Sequence, residues 1–125
     1  MRRKLVSLLA ATAVGLGLSV AATAPAQAYA GCRAGHFCVW KGPGGTGSVW
    51  NIPESEIANL GCRTFATTHW DNDTESWQNR TSTYIVLHKS YNCEFPSGGF
   101  FTLNPGQADT AGHRPGFANT ISSIG

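Results

Sequence analysis

The chain repeats itself, and that constrains its fold more than any other feature. Sliding the sequence by 47 residues sets Phe37 on Tyr84, Val39 on Val86, Trp40 on Leu87, Trp70 on Phe117, Asn72 on Asn119, Ser76 on Ser123 and Trp77 on Ile124. Matches gather at the start and end of each stretch, while the middles differ by gaps. Two copies of one supersecondary unit look like this after their loops have drifted. Phe37–Trp40, Ser48–Ile52, Ser82–Leu87 and Phe100–Leu103 carry the β-branched and aromatic bias of short strands. Turns fall between them at Gly42-Pro43-Gly44-Gly45, Pro96-Ser97-Gly98-Gly99 and Asn104-Pro105-Gly106. Each unit holds about four short strands, too few to bury a face alone, so the two are expected to close on one another as an all-β sandwich. One short helical turn fits Pro53–Leu60, where Glu54, Glu56, Ile57 and Leu60 have helix-like spacing.

The start of the chain decides its compartment. Arg2, Arg3 and Lys4 form a basic head, Leu5–Val20 is almost wholly apolar, and Ala26-Gln27-Ala28 is a small-x-small cleavage site. Residues 1–28 therefore read as a cleaved signal peptide and residues 29–125 as one domain, with unit one at about 31–81 and unit two at about 82–125. The expected destination is secretion to the extracellular space. No later stretch approaches the roughly 20 apolar residues needed to span a bilayer.

A domain this small gains from covalent staples. Cys32, Cys38, Cys62 and Cys93 all lie after the cleavage site, an even count that reads as two bridges in an exported protein. Three connectivities exist. Proximity in sequence favours Cys32 with Cys38, which leaves Cys62 with Cys93.

Cleavage removes Arg2, Arg3 and Lys4, so the formal charge of +2 becomes six basic residues against seven acids, 6 − 7 = −1. That balance supports neither a nucleic-acid partner nor a membrane partner.

The aromatic-led first strand, the Gly-rich hairpin and the closing aromatic-to-Ser segment, each present twice, resemble the βγ-crystallin Greek-key fold. Trp70–Arg80 and Phe117–Ile124 carry the closing segments. Together with Cys32–Cys38 they resemble the actinobacterial secreted proteins grouped with the βγ-crystallin metalloproteinase inhibitors. The resemblance spans essentially all of residues 29–125 and implies a disulfide-stapled sandwich of two Greek keys. It also implies that Ser76 and Ser123 are structural, their hydroxyls bonding backbone at the fold of each hairpin.

It implies inhibition of an extracellular protease by a monomer, through the connection Lys89–Gly98. Cys93 would anchor that loop, Pro96 would stiffen it, and Tyr91 and Phe95 offer aromatic area for pockets. The carried-over bond is Cys93–Glu94. Thermolysin-type proteases prefer a large apolar residue after the scissile bond, whereas Glu94 is charged. A second cysteine that would close the loop on itself is replaced by the neighbourhood of Ser97 and Gly98. Three readings follow: a different target, Phe95 filling the pocket in a shifted register, or a member that does not inhibit.

The fold also implies calcium, through an acidic pair followed by hydroxyl residues. Asp71-Asn72-Asp73-Thr74-Glu75-Ser76 is the better of two segments, and Asp71, Asn72 and Glu75 are its ligand candidates. Ala118 stands where unit two needs an acid or amide, so one site is expected at most. Without inhibition, a calcium-binding extracellular structural or stress protein is the alternative. No cofactor is required.

Catalysis is not expected. The chain has neither a Gly-x-Ser-x-Gly elbow nor a His-Glu-x-x-His helix. His36, His69, His88 and His113 are scattered singly, and Glu54 with Glu56 makes a poor glycosidase pair. Trp40, Trp50, Trp70 and Trp77 sit at repeat positions that favour packing over sugar stacking.

Overall fold

The computed structural model describes residues 29–95 and 99–125. The signal segment 1–28 and the turn residues Pro96, Ser97 and Gly98 lie outside the described residues. Among these residues eight strands and one α-helix follow in the order β1 (His36–Trp40), β2 (Val49–Pro53), α1 (Glu54–Leu60), β3 (Arg63–Thr64), β4 (Ser76–Asn79), β5 (Ile85–His88), β6 (Phe100–Leu103), β7 (Ala108–Thr110) and β8 (Ser123–Ile124). Helix α1 starts directly after Pro53, whose extended backbone caps it. It stops at Gly61, which takes the left-handed conformation (φ 66°) open to glycine.

Two four-stranded antiparallel sheets form, ordered β2-β1-β4-β7 and β3-β8-β5-β6. Each sheet takes three strands from one unit and the third strand of the other. Strand β3 leaves unit one to pair with β8, and β7 leaves unit two to pair with β4. The exchange interlocks the two Greek keys. Between the sheets, one core joins Phe37, Val39, Ile52 and Trp77 of unit one to Ile85, Leu87, Phe101 and Ile124 of unit two.

The pairings place the repeat in register. Val39 lies opposite Trp77 and Trp40 opposite Ser76, while Leu87 lies opposite Ile124 and His88 opposite Ser123. Hence Val39 corresponds to Leu87 and Trp40 to His88. In the first strands the repeat runs at 48 residues, one more than in the closing segments. This corrects the pairing of Phe37 with Tyr84. Tyr84 is 64% exposed and precedes β5, and Ile85 holds the core position instead.

The closing segments keep the 47-residue spacing in fine detail. Asn72 and Asn119 both take the left-handed conformation, at φ 52° and 51°, which asparagine tolerates better than most residues. The Asn72 amide donates to the Ile121 carbonyl at 3.1 Å, and the Asn119 amide to the Thr74 carbonyl at 3.0 Å. The two units therefore hold each other through reciprocal backbone bonds.

Candidate functional site

Where β5 turns into β6, the chain folds the loop over residues 89–99. The Lys89 amide donates to the Gly99 carbonyl at 3.1 Å and closes its base. Three ties hold the described part of the loop. The Ser123 hydroxyl donates to the Ser90 carbonyl at 2.6 Å and accepts from the Cys93 amide at 3.0 Å. Cys93 is bonded to Cys62, just ahead of β3, while Cys32 is bonded to Cys38. Finally, the Glu94 amide donates to the Ser90 hydroxyl at 3.0 Å.

Unit one shows the same device in simpler form. The Ser76 hydroxyl donates to the Gly42 carbonyl at 2.6 Å and accepts from the Gly45 amide at 2.8 Å. Gly45 has φ 76°, and its counterpart Cys93 has φ 52°. Unit two thus puts a cysteine at a left-handed position where unit one has glycine. That conformation costs a non-glycine residue about 1 kcal/mol or more, so the surrounding ties must hold it.

The aromatic residues of the loop divide. The Tyr91 hydroxyl reaches across to unit one and donates to Asp71 Oδ2 at 3.1 Å; this bond to the carboxylate pushes the phenol above its ordinary range. Phe95 packs edge-on against Phe100 at 4.5 Å and against His88 at 4.7 Å between ring centroids. It nevertheless stays 59% exposed. Glu94 is exposed as well. His88 is 1% exposed, its Nδ1 has no hydrogen-bond partner, and burial pulls its pKa below the ordinary histidine range. Neither its burial nor its contact with Phe95 was legible in the sequence, since the 47-residue alignment puts Leu87 opposite Trp40.

The acidic turn behaves differently from a ready ligand set. Asn72 Oδ1 accepts from the Ser122 hydroxyl at 3.2 Å, and Glu75 Oε1 accepts from the Asn119 side-chain amide at 3.1 Å. The 47-residue spacing relates these two cross-links, and they engage two of the three candidates in contacts with unit two. Asp73 is taken up by the Lys41 ammonium. Asp71 alone among the described residues offers a buried carboxylate oxygen, Oδ1, without a partner. Among the described residues, no group of three or more His, Cys, Asp or Glu side chains could hold a metal ion.

All four cysteines are in disulfides, the Ser82 hydroxyl donates to Glu54 Oε1 on the surface, and His113 meets Asp109 on the surface at 3.2 Å. Among the described residues no helix is long and apolar enough to cross a membrane.

Comparison with known proteins adds two findings. A family model described as peptidase inhibitor family I36 matches residues 25–102, a span that includes the whole loop. Two solved structures share the fold. One, from work on the evolution of the eye-lens βγ-crystallin domain fold, is 18% identical over 75% of this chain and 87% of that one, with a TM-score of 0.60. The other, a βγ-crystallin from Ciona intestinalis, is 14% identical over 72% of this chain and 96% of that one, with a TM-score of 0.56. No curated protein matches. The sandwich is therefore of βγ-crystallin type.

Proposed function

The chain belongs to peptidase inhibitor family I36, and from that premise we propose that it is a secreted, monomeric inhibitor that blocks an extracellular metalloprotease with the loop at 89–99. The observation that carries this reading is Phe95, a large apolar ring held edge-on by two aromatic neighbours yet mostly exposed. A side chain already fixed in place loses little freedom on binding, and buried aromatic anchors dominate interface energetics. The loop beneath it is tied by the Cys62–Cys93 bridge and by the Ser123 hydroxyl.

The backbone favours Phe95 over the Cys93–Glu94 bond as the point of entry. A protease cleft takes its substrate extended, and Cys93 at φ 52° breaks the extended conformation at that bond. Glu94 is also turned inward at its amide, which Ser90 binds. The shifted register puts an apolar ring into the pocket where Glu94 would bring a charge. Pro96, outside the described residues, follows in the same segment.

Titrating the mature protein against thermolysin-like and serine proteases tests the reading. Inhibition of a metalloprotease at micromolar concentration or below is expected. Phe95→Ala should weaken it by more than about 1 kcal/mol, or roughly fivefold, while Tyr84→Ala, exposed but outside the loop, leaves it unchanged. A panel in which no protease is slowed would overturn the proposal.

Calcium binding is the second reading, and the unpartnered Asp71 Oδ1 favours it. Asp71 would supply the charge, while Asn72 and Glu75 would first have to give up their bonds to Ser122 and Asn119. Binding is therefore expected to be weak. Calorimetry should show heat only toward millimolar calcium, and Asp71→Asn should abolish it. A heatless titration at millimolar ion leaves only an acidic turn.

A further inference from the structure

His88 stands where unit one has Trp40. Both lie on the outer faces of their sheets: Phe37, Val39, Ile85 and Leu87 point into the shared core, and alternation along a strand turns Trp40 and His88 the other way. Unit one fills its position with an apolar ring beneath Tyr29, beside the Cys32–Cys38 bridge. Unit two fills the same position with an ionisable ring beneath the loop.

The surroundings of that ring are almost free of charge. Across the register lie Phe100 on β6 and Ser123 on β8, whose hydroxyl is committed to Ser90 and Cys93. From the loop come Phe95 and the Glu94 backbone, which favours the charged ring. Lys89 lies over Phe117, the Glu94 side chain is exposed, and Arg63 on β3 is paired with Glu56. A neutral imidazole fits this buried site, whereas among the described residues an imidazolium finds no carboxylate and only the Glu94 backbone as a partner.

We propose that His88 is the positioning residue of the loop: uncharged, it seats Phe95 against Phe100, and once protonated it draws in water, which displaces Phe95 and loosens the segment over residues 90–95. The loosening is a property of this fold alone; its effect on inhibition rests on the reading of the loop given above.

The sign follows from linkage. In the opened loop His88 regains an ordinary pKa of about 6.5, while in the closed loop burial holds it lower. Below about pH 6.5 the open form binds more protons, so opening becomes easier as pH falls, until the closed form protonates too. The open population rises by at most about tenfold per pH unit in that window, and pH has no effect above it.

Hydrogen exchange between pH 7.5 and 5.0 tests the proposal. The Cys93 and Glu94 amides, bonded to Ser123 and Ser90, are compared with the Gly45 amide, bonded to Ser76 in unit one. Taking this ratio cancels the intrinsic pH dependence of exchange. In the wild type the ratio of protection should fall several-fold on acidification, and in both His88→Phe and His88→Gln it should stay flat. Two variants are used because either ring replacement alone could disturb packing. A flat ratio in the wild type, or a fall that survives in the variants, overturns the proposal. If the ratio responds to pH but no protease is inhibited at any pH, the switch stands and the inhibitory reading fails alone.

Discussion

Replacing Trp77 with alanine is expected to cost about 3–5 kcal/mol of stability, the range for removing a large aromatic side chain from a core. Trp77 is 0% exposed and sits at the junction of the two units, with its ring 5.0 Å from Phe101 of the other Greek key. Its indole N–H donates to the Thr74 hydroxyl at 2.9 Å, and Thr74 is also fully buried. Truncation therefore opens a cavity and leaves a buried hydroxyl without its donor. Against a total stability of order 5–15 kcal/mol, such a variant stands near unfolding at room temperature. Urea unfolding measures this directly. Tyr84→Ala provides the contrast and should change stability by no more than about 0.5 kcal/mol. An equal cost at both positions would contradict the one-residue shift that separates Tyr84 from the core.

The second large effect concerns the bridge beneath the loop. Changing both Cys62 and Cys93 to serine should lower stability by about 4 kcal/mol, because the bridge closes a loop with a sequence separation of 31. The shorter Cys32–Cys38 bridge, with a separation of 6, is expected to contribute about 2 kcal/mol on the same grounds. The larger loss also falls at the site. Without the bridge, Cys93 loses one of the ties holding it at positive φ, and the segment that presents Phe95 must be ordered on binding. Inhibition should then weaken by about tenfold or more, at roughly 0.5–1.5 kcal/mol per side chain newly ordered. The measurements are urea unfolding and inhibition of the same protease at a temperature where the variant remains folded. Unchanged inhibition would show that the bridge stabilises the fold without preorganising the loop.

The elements that carry long side chains in alternation were legible in the sequence. Phe37–Trp40 and Phe100–Leu103 announce strands by their aromatic and β-branched residues, and the structure places β1 and β6 there. The helical turn before Leu60 was legible from the spacing of Ile57 and the two glutamates. By contrast, Arg63–Thr64 and Ala108–Thr110, the two exchanged strands, are too short for any periodicity to register. What fixes them is their place beside β8 and β4, a long-range fact absent from local sequence. Strand β5 begins at Ile85, later than the expected Ser82, because Thr83 and Tyr84 have strand-like side chains while lying outside it.

The site was legible in part for the same reason. The two bridges can be read from cysteine spacing and the loop from the family resemblance, but which face of β5 meets that loop depends on register. One residue of slip exchanged Leu87 for His88 and hid the ring under Phe95. Asp71, Asn72 and Glu75 are ligand candidates because the segment resembles the calcium motif of the βγ-crystallin fold, but two of the three have partners no local motif reveals. Their partners Ser122 and Asn119 come from the other unit and appear only once the two Greek keys have closed.

The most direct measurement is a hydrogen-exchange footprint of the mature protein with and without a bound metalloprotease. Added protection should be confined to the amides of residues 89–95 and 99–100, with Phe95 at its centre and the Trp40 face of the opposite sheet unchanged. Protection that falls on that opposite face, while the loop exchanges as freely as in the free protein, would contradict inhibition through this loop.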